Sequence, residues 1–397
     1  MDDKGGAQQR IRTCFVVDSG TDARLVEGLA ERFDLTVIAR EIRGGVEISQ
    51  RLEKGASVVV GSGSRFGFAW MVWKFLRGRV GQLDYVMVQG YGAAALAANI
   101  VSRSAGVPSG MLVCSPAELY YECRRSNLFP SKVFRRRELL SLKALAKANA
   151  RLGSRYFVLS RHLEEVVRGH GSVKRVDIVP VYGVDTRTFV PSREDKALLR
   201  ARAGLPTEGK LIFFSSRIAP EKDAATLLKA CALLLSKGKN LWLLHRSGHF
   251  REFVREAGRF GVAQRVIATD AVDPRRDLAR DYQASDVCVQ ASREEGLGFS
   301  PLEAMACAVP VVAAAAGGLK ETVLDGCTGW TYPVGDAQAL ASRIEEVIGD
   351  PREAARRARA GRELVCRRYE RQLVFDRLEA LVKADTLSTR DRAARLA

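Results

Sequence analysis

Two carboxylates, Glu295 and Glu303, lie eight positions apart in a glycine-containing stretch that runs from Ser292 to Pro310. An apolar segment that is typical of a buried strand comes directly before this stretch. A short glycine turn follows, and then a predicted helix whose start is marked by Ser300 and Pro301. The backbone N–H groups and the dipole at a helix N-terminus favour anions such as phosphate. Carboxylates instead accept hydrogen bonds from hydroxyl groups, so the pattern indicates a ligand that carries both, such as a nucleotide-sugar.

The same helix start also has a purely structural interpretation. Ser300 and Glu303 have the spacing of a capping box, in which the glutamate side chain only reaches back to a backbone N–H group. Because capping boxes are common, this stretch by itself leaves both interpretations open. The choice depends on which other side chains share the site.

Charged side chains follow two other predicted strands of the C-terminal half. Arg217 and Lys222 follow the apolar segment Leu211–Phe214, and Glu321 follows Val309–Ala313. The carboxyl ends of parallel strands meet at one edge of a sheet, so we expect these side chains to converge on the glycine turn. Arginine and lysine are suited to neutralising a diphosphate, although for each cation alone a solvated loop charge is the favoured interpretation. Their combination with the glycine turn favours a ligand site.

Apolar segments and helical segments alternate from Cys14 to Pro180, and the alternation restarts after Pro191. This order predicts an α/β fold with two Rossmann-like domains that face each other across a cleft, rather than a single barrel. The predicted domains are residues 1–190 and 191–375.

The C-terminal segment is predicted to be mostly helical. One helix is expected over 352–382, and the polar residues 385–397 are expected to be frayed. We assign 376–397 to a C-terminal helix and tail that packs back toward the N-terminal domain.

The chain is strongly basic, with a formal net charge of +17. Such an excess indicates an anionic partner, although a solvated arginine-rich surface is the alternative. Basic helical segments are predicted near Arg65–Arg79 and near Arg135–Lys147, the second within a basic helical region over Tyr120–Arg151. The segment 66–79, FGFAWMVWKFLRGR, is either a membrane-surface helix or a helix packed on the sheet with aromatic core residues. The second interpretation is favoured because its apolar residues occupy more than one face. No nucleic-acid-binding motif is found, so no nucleic-acid partner is expected.

The remaining composition indicates a cytoplasmic protein. No uncharged apolar run reaches about 18 residues, and the N-terminus lacks the pattern of a signal peptide. The eight cysteines are scattered without a C-x-x-C pair, which is typical of reduced thiols, and the four histidines have no ligand spacing. We therefore expect neither disulfides nor a metal site.

The motifs of the C-terminal half resemble those of glycosyltransferase family 4, the retaining "group 1" enzymes with GT-B architecture. Residues 294–313 resemble the E-x7-E segment of that family, and residues 215–222 resemble its R-x-x-P-E-K segment. Residues 317–321 resemble its G-G-x-x-E segment, and residues 179–191 resemble an interdomain segment that ends in G-V-D-x-x-x-F-x-P. The resemblance covers about 179–335, and before this range it rests on strand order.

The resemblance implies a retaining hexosyltransferase that uses a nucleoside-diphosphate sugar, without a cofactor, in glycan, glycolipid or glycoconjugate biosynthesis. Arg217 and Lys222 would hold the diphosphate in place of a metal, and Glu303 would accept ribose hydroxyls. In such enzymes the leaving phosphate takes the acceptor proton, so no protein nucleophile is implied. The implied catalytic residues are Glu295, Arg217 and Lys222. The implied donor-binding residues are Gly20, Arg217, Lys222, Glu295, Gly296, Leu297, Gly298, Phe299, Ser300 and Glu303.

The chain departs from the family pattern at several positions. The family often carries a histidine shortly after a G-V-P turn, and Cys114 or Ser115 occupies that place here. Ala308 replaces the usual glycine after E-A-M-A-C, and Gly20 is the single glycine of the first loop. A glycine pair is replaced by residues 245–248, HRSG. These departures concern the donor sugar and the base rather than the diphosphate.

Two other functions are compatible with the sequence: a non-catalytic GT-B-like scaffold at the membrane, and a nucleotide-sugar epimerase on a similar fold. The paucity of histidines argues mildly against an epimerase, which needs acid and base residues. By the resemblance, the acceptor binds the N-terminal domain, and the basic helices favour an anionic or lipid-linked glycan acceptor. The expected location is the cytoplasm, with peripheral association at the inner face of the membrane.

Overall fold

The structure is a computed structural model, and it describes residues 10–18, 21–40, 56–61, 63–125, 136–171, 174–270 and 277–396. The chain forms two compact units, each built on one parallel sheet. Unit 1 comprises Met1–Ser115, Arg137–Tyr182 and Gln372–Ala397, and unit 2 comprises Pro116–Arg136 and Gly183–Arg371. The chain thus changes unit between Tyr182 and Gly183, before the domain boundary that we place between residues 190 and 191. Residues 116–136, which we assign to the N-terminal domain from sequence, belong to unit 2.

Among its described residues, unit 1 holds seven parallel strands and the helices that cover them. The strands are β1 (Arg12–Val17), β2 (Asp34–Arg40), β3 (Ala56–Gly61), β4 (Tyr85–Gln89), β5 (Ser109–Val113), β6 (Arg155–Val158) and β7 (Val176–Ile178). The helices are α1 (Ala23–Arg32), α2 (Arg65–Arg79), α3 (Ala93–Ser104), α5 (Arg136–Leu152) and α6 (Arg161–Arg168), with α4 (Ala117–Arg125) lying in unit 2. The strand order is β3-β2-β1-β4-β5-β6-β7. Residues 126–135 of the predicted basic region lie outside the described residues.

The central strands of unit 1 are predicted correctly from their apolar runs because helices cover both faces of the sheet there. Cys14, Phe15 and Val16 of β1 are all fully buried, although neighbouring side chains of a strand point to opposite faces. A strand that is buried on both faces is expected to be apolar throughout, as the strands of parallel sheets are.

The described part of unit 2 holds six parallel strands in the same kind of arrangement. The strands are β8 (Lys210–Phe214), β9 (Leu241–Arg246), β10 (Val266–Thr269), β11 (Val287–Gln290), β12 (Val311–Ala314) and β13 (Trp330–Tyr332). The helices are α7 (Lys196–Arg202), α8 (Ala224–Ser236), α9 (Phe250–Arg259), α10 (Leu278–Ala284), α11 (Phe299–Ala306), α12 (Leu319–Thr322), α13 (Ala337–Gly349) and α14 (Pro351–Arg368). The strand order is β10-β9-β8-β11-β12-β13.

The strand order of unit 2 reverses between β8 and β11. The chain moves from β8 to β9 and β10 on one side, and then returns to place β11 on the other side of β8. Val287 of β11 pairs with Ile212 of β8, so the carboxyl ends of both strands lie side by side. In open α/β sheets a crevice forms at such a reversal, and ligands bind there. The loops that follow β8 and β11 are therefore the ones that define the candidate site.

The C-terminal helix that we predict over 352–382 is in fact two helices, α14 and α15 (Arg371–Leu396). The break comes from Val184, whose N–H donates to Tyr369 O at 2.7 Å and whose carbonyl accepts from Arg371 N at 3.0 Å. Gly183 has a positive φ of 59°, and a side chain there would lie 2.5 Å from Arg371 Cα. The backbone groups at the break thus pair with the interdomain segment instead of continuing the helix.

The expectation of a frayed C-terminus is wrong, because α15 continues to Leu396. Asp385 of α15 accepts hydrogen bonds from Arg155 Nε at 2.7 Å and from Arg155 Nη2 at 2.8 Å. Nearer its start, Phe375 packs so closely on α1 that a side chain at Gly28 would lie 2.1 Å from its ring. These contacts fasten α15 to unit 1. Among the described residues, no helix is both long and apolar enough to cross a membrane.

Candidate functional site

The loop after β8 carries Arg217 and Lys222, the two cations that are predicted from the sequence to bind a diphosphate. Arg217 is exposed, and it forms no ion pair with any residue that the structure describes. Lys222 ends a 3₁₀ turn over Pro220–Lys222 and is buried, with 9% of its surface accessible. The next residue, Asp223, has a positive φ of 45° and caps α8 by accepting from Thr226 N. This turn directs the chain from the strand into the helix and holds Lys222 inward.

Lys222 and Glu295 form a buried ion pair. The Lys222 Nζ atom lies 2.5 Å from Glu295 Oε2, and each side chain keeps only 11% of its exposure. The same Glu295 oxygen accepts from Ser292 Oγ at 3.1 Å and from Gln290 Nε2 at 3.2 Å. Ser216 Oγ, from the loop after β8, donates to Gln290 Oε1 at 3.2 Å. The two loops are therefore joined at this carboxylate, as the sequence predicts for Lys222 and Glu295.

A second buried carboxylate, Glu221, holds the loop that carries Arg217 and Lys222. Glu221 is fully buried and accepts from Arg124 Nη2 at 2.8 Å and from Arg124 Nε at 3.2 Å. Burial by itself disfavours the charged form of Glu221. The hydrogen bonds from Arg124 and from the backbone, together with the positive charges of Arg124 and Lys222, outweigh burial and lower the pKa of this carboxyl. Arg124 lies on α4, which packs on the 3₁₀ turn within unit 2. The position of Lys222 thus depends on a helix more than 90 residues earlier in the chain.

Tyr120, on the same helix, borders the charged cluster. The Lys222 Nζ atom lies 6.0 Å from the centre of the Tyr120 ring, within the range of a cation–π interaction. Burial, followed by the negative charges of Glu295 and Glu221, raises the pKa of Tyr120 well above its usual range. The hydroxyl is therefore a neutral donor at physiological pH. The sequence assigns this residue only to a basic helical region.

Two glycines allow the turn after β11 to approach its neighbours closely. Gly298 has a φ of 93°, and a side chain there would meet the Leu319 side chain at 2.5 Å. A side chain at Gly318 would lie 2.3 Å from the Gly296 carbonyl oxygen. Gly318 N also donates to the Glu295 carbonyl at 2.9 Å. The G-G-x-x-E segment therefore clamps the backbone of the glycine turn.

Helix α11 begins at Phe299, with Gly298 as its N-cap and no side-chain cap. Ser300 Oγ instead donates to the Ser215 carbonyl at 2.6 Å, which ties the helix start to the loop after β8. Glu303 is buried, and its Oε2 accepts from Tyr282 OH at 3.1 Å. The capping-box interpretation is wrong, because Gly298 and not Ser300 is the N-cap and no side chain caps the helix. Helix α11 follows β11, whose carboxyl end lies beside that of β8, so its first backbone N–H groups lie at the same edge of the sheet as the loop that carries Lys222.

Several side chains that build this site are not apparent from sequence alone. Gln290 carries a local signal that could have identified it, because it is a polar residue at the end of an apolar strand, and the structure shows it buried. Ser292, Arg124 and Tyr282 carry no such local signal. Nine of the ten predicted donor-binding residues lie in unit 2, and the tenth, Gly20, lies outside the described residues.

The residues at the position of the usual family histidine lie in unit 1. Cys114 is half-buried, and burial raises the pKa of its thiol to about 11, so the thiol stays protonated at physiological pH. Ser115 is the last residue of this segment of unit 1. Within the described ranges, no group of three or more histidine, cysteine or acidic side chains is arranged to hold a metal ion.

Residues 195–364 match the sequence model of the family described as "Glycosyl transferases group 1". A D-inositol 3-phosphate glycosyltransferase of Xylanimonas cellulosilytica is 36% identical over 214 residues, which are 52% of this chain and 51% of that protein. A GDP-mannose-dependent alpha-(1-6)-phosphatidylinositol monomannoside mannosyltransferase of Mycolicibacterium smegmatis is 35% identical over 189 residues, 45% of this chain and 49% of that protein. The chain thus spans about half the length of these curated relatives. The family match confirms the resemblance that the motifs indicate.

Solved structures resemble nearly the whole chain. Sucrose-phosphate synthase from Thermosynechococcus elongatus has a TM-score of 0.77 and 20% identity, and the match covers 94% of this chain and 99% of that one. Anabaena HepE, in complex with UDP and glucose, has a TM-score of 0.75 and 19% identity, with coverage of 94% and 100%. At this identity the likeness establishes the fold, and it confirms the predicted GT-B architecture with two Rossmann-like domains.

Proposed function

We propose that this chain, whose residues 195–364 belong to the group 1 glycosyl transferases, is a retaining glycosyltransferase. It would move a sugar from a nucleoside diphosphate to an acceptor hydroxyl in the biosynthesis of a glycan, glycolipid or glycoconjugate. One observation carries the proposal. Lys222, Glu295 and the start of α11 converge at the strand reversal between β8 and β11, where α/β sheets bind ligands.

Each group of this cluster suits one part of a nucleotide-sugar. Arg217 and Lys222 would neutralise the diphosphate, a role that a metal ion plays in other enzymes, and the helix start and Ser300 would add dipole and hydrogen bonds. Glu303 would accept the ribose hydroxyls in place of the Tyr282 hydroxyl. Glu295 and the turn from Gly296 to Phe299 would contact the sugar.

The proposed reaction follows from these contacts. The acceptor oxygen forms a bond to the anomeric carbon while the bond from that carbon to the phosphate oxygen breaks. The electron pair of the broken bond goes to the diphosphate, and the acceptor proton goes to a phosphate oxygen. The cations lower the barrier because they stabilise the negative charge that develops on the leaving group. Attack and departure on one face of the sugar retain its configuration.

The acceptor is proposed to carry an anionic or lipid-linked group. Its support is the net charge of +17 and the names of two relatives, which mention inositol 3-phosphate and phosphatidylinositol monomannoside. We propose a location in the cytoplasm, peripheral to the inner face of the membrane. None of the eight cysteines, all of which lie in the described residues, forms a disulfide, as is typical of a reducing compartment.

A thermal melt with nucleotides tests the donor site. UDP or GDP at about 100 times its Kd should raise the free energy of unfolding by about 2.7 kcal/mol. Mass spectrometry of mixtures with different nucleotide-sugars should then show release of one nucleoside diphosphate. Lys222→Ala should abolish the melting shift, and Lys237→Ala, which removes an exposed lysine paired with Glu345, should leave it unchanged.

The outcomes separate the alternatives. A scaffold without a donor site would show no melting shift with any nucleotide and would overturn the proposal. An epimerase would bind the nucleotide-sugar but return an isomer with the diphosphate still attached. If Glu295→Ala released nucleoside diphosphate as fast as the wild type, the assignment of Glu295 to the sugar would be wrong.

A further inference from the structure

Helix α2 of unit 1 buries one narrow stripe and exposes another. Phe68, Val72 and Leu76 are fully buried and recur every four residues, so they form the face that packs on unit 1. Phe66 and Trp70 also lie four residues apart, but their exposed fractions are 78% and 63%. The favoured expectation, a packed helix whose aromatic residues lie in the core, therefore holds only for Phe68.

The exposed Trp70 ring is ordered by stacking on Trp73, which is half-buried. The ring centres of Trp70 and Trp73 lie 4.8 Å apart with an angle of 16° between the planes. The Arg77 guanidinium lies 5.0 Å from the centre of the Trp73 ring, and that of Arg79 lies 4.6 Å from the Phe75 ring. Solvent-exposed apolar residues scattered singly are normal, but a ladder of large rings along one helix face is unusual for a surface that contacts only water.

The same helix is strongly cationic. The side chains of Arg65, Lys74, Arg77 and Arg79 are exposed, and none of them forms an ion pair with a described residue. No aspartate or glutamate occurs between Arg65 and Leu83. The cations are therefore not neutralised by their own helix.

We propose that the outward face of α2, defined by the exposed Phe66, Trp70, Arg77 and Arg79 and the half-buried Trp73, docks on an anionic lipid bilayer. Amphipathic helices that lie in the membrane interface carry tryptophan and phenylalanine together with lysine and arginine. The long cationic side chains would reach the phosphates while the rings enter the boundary with the acyl chains. With 15 residues and four cations, α2 is suited to lying in the interface and not to crossing the bilayer.

Two other occupants fit the surface less well. A single-stranded nucleic acid stacks its bases on open aromatic faces, but Trp73 is already stacked by Trp70 and approached by Arg77. A second copy of the chain would bring the same cations together without acidic residues of α2 to oppose them. The charge and the aromatic stripe together favour an anionic membrane.

Co-sedimentation of the full chain with vesicles tests the proposal. We expect binding to vesicles of phosphatidylcholine with phosphatidylglycerol, weak binding to phosphatidylcholine alone, and release at high salt. Phe66→Ser with Trp70→Ser should reduce the partition coefficient at least about tenfold through the lost apolar area. Arg77→Gln with Arg79→Gln should reduce it by about tenfold or more at low salt.

Matched variants in unit 2 serve as controls. Leu198→Ser removes a leucine that is 45% exposed, and Arg251→Gln with Arg255→Gln removes two exposed cations from α9. These should change partitioning less than about twofold, since each cation contributes only near the lipid surface. All variants affect exposed side chains, so circular dichroism melts should match the wild type.

Three results would overturn the proposal. They are no binding of the wild type to anionic vesicles at low salt, undiminished binding of the aromatic variant, and loss of dimerisation or oligonucleotide binding instead of vesicle binding. The assay uses neither donor nor acceptor, so its failure leaves the transferase proposal intact. The melting shift with UDP or GDP should be the same in the α2 variants as in the wild type.

Discussion

Replacing Glu295 by glutamine should separate nucleotide binding from sugar transfer. In the free protein the Lys222 ammonium is neutralised by Glu295 at 2.5 Å. A bound diphosphate competes with that carboxylate for the same cation. Glu295→Gln removes the competitor and leaves an oxygen that still accepts from Ser292 and Gln290. The variant should therefore bind nucleoside diphosphate better while losing the group that we propose contacts the sugar.

The magnitudes follow from burial. Removing one partner of a buried ion pair costs about 3–5 kcal/mol, because the other charge is left without compensation. Both side chains here keep 11% exposure and the amide replaces part of the contact, so we expect a loss of about 2–3 kcal/mol. For a unit of this size that lowers the melting temperature by about 5–10 °C. The affinity for UDP or GDP should rise by up to about tenfold, or 1.4 kcal/mol.

Thermal melts, calorimetric titration and a transfer assay check these values together. The matched control is Glu345→Gln, which removes a carboxylate that lies 2.8 Å from Lys237 on the surface. An exposed pair contributes about 1 kcal/mol or less, so this control should keep wild-type stability and nucleotide affinity. The reasoning is refuted if Glu295→Gln keeps the wild-type melting temperature, or if it binds nucleoside diphosphate more weakly than the wild type.

Three further substitutions test the local geometry. Gly318→Ala should abolish the melting shift with UDP or GDP, because the added carbon would lie 2.3 Å from the Gly296 carbonyl oxygen. The control Gly349→Ala should keep the shift, because its added carbon would meet no atom within 4 Å. Ala308→Gly should raise the free energy of unfolding in urea by about 0.5–1 kcal/mol, since Ala308 has a φ of 53°; a loss of stability would contradict this. Burial lowers the pKa of His245 to about 4. Between pH 6.5 and 4 the unfolded chain therefore binds a proton that the folded chain does not. The free energy of unfolding should fall by up to about 3 kcal/mol as the pH drops through this window. His245→Asn should flatten urea-denaturation stability across this window, and an unchanged pH dependence would show that another group causes it.

The parts of the site that sequence predicts are those set by chain order. A strand followed by a glycine turn and a helix places Glu295 and the start of α11 at the carboxyl edge of a parallel sheet. The strand before Arg217 and Lys222 does the same for the cations. The sequence also predicts the helix start two residues late, with Ser300 as the N-cap, because Gly298 caps α11 by its backbone conformation.

Other features depend on pairings that no local pattern encodes. The break between α14 and α15 arises because Val184 takes the backbone hydrogen bonds of Tyr369 and Arg371. Strand β13 has only three residues, and its identity as a strand comes from pairing with β12. Asp385 reads as part of a polar tail, but it is held by Arg155, 230 residues earlier.

The sequence by itself determines the α/β class, the two parallel sheets and the residues at the edge of the second sheet, because these follow from the apolar pattern and from the order of elements along the chain. Only the tertiary structure decides what each charged side chain pairs with. Lys222 is neutralised by Glu295, Glu221 by Arg124 on a distant helix, and Phe66 faces solvent although its neighbour Phe68 does not. Charge pairing and burial depend on which segments meet in space, and that is a property of the folded chain and not of any one stretch.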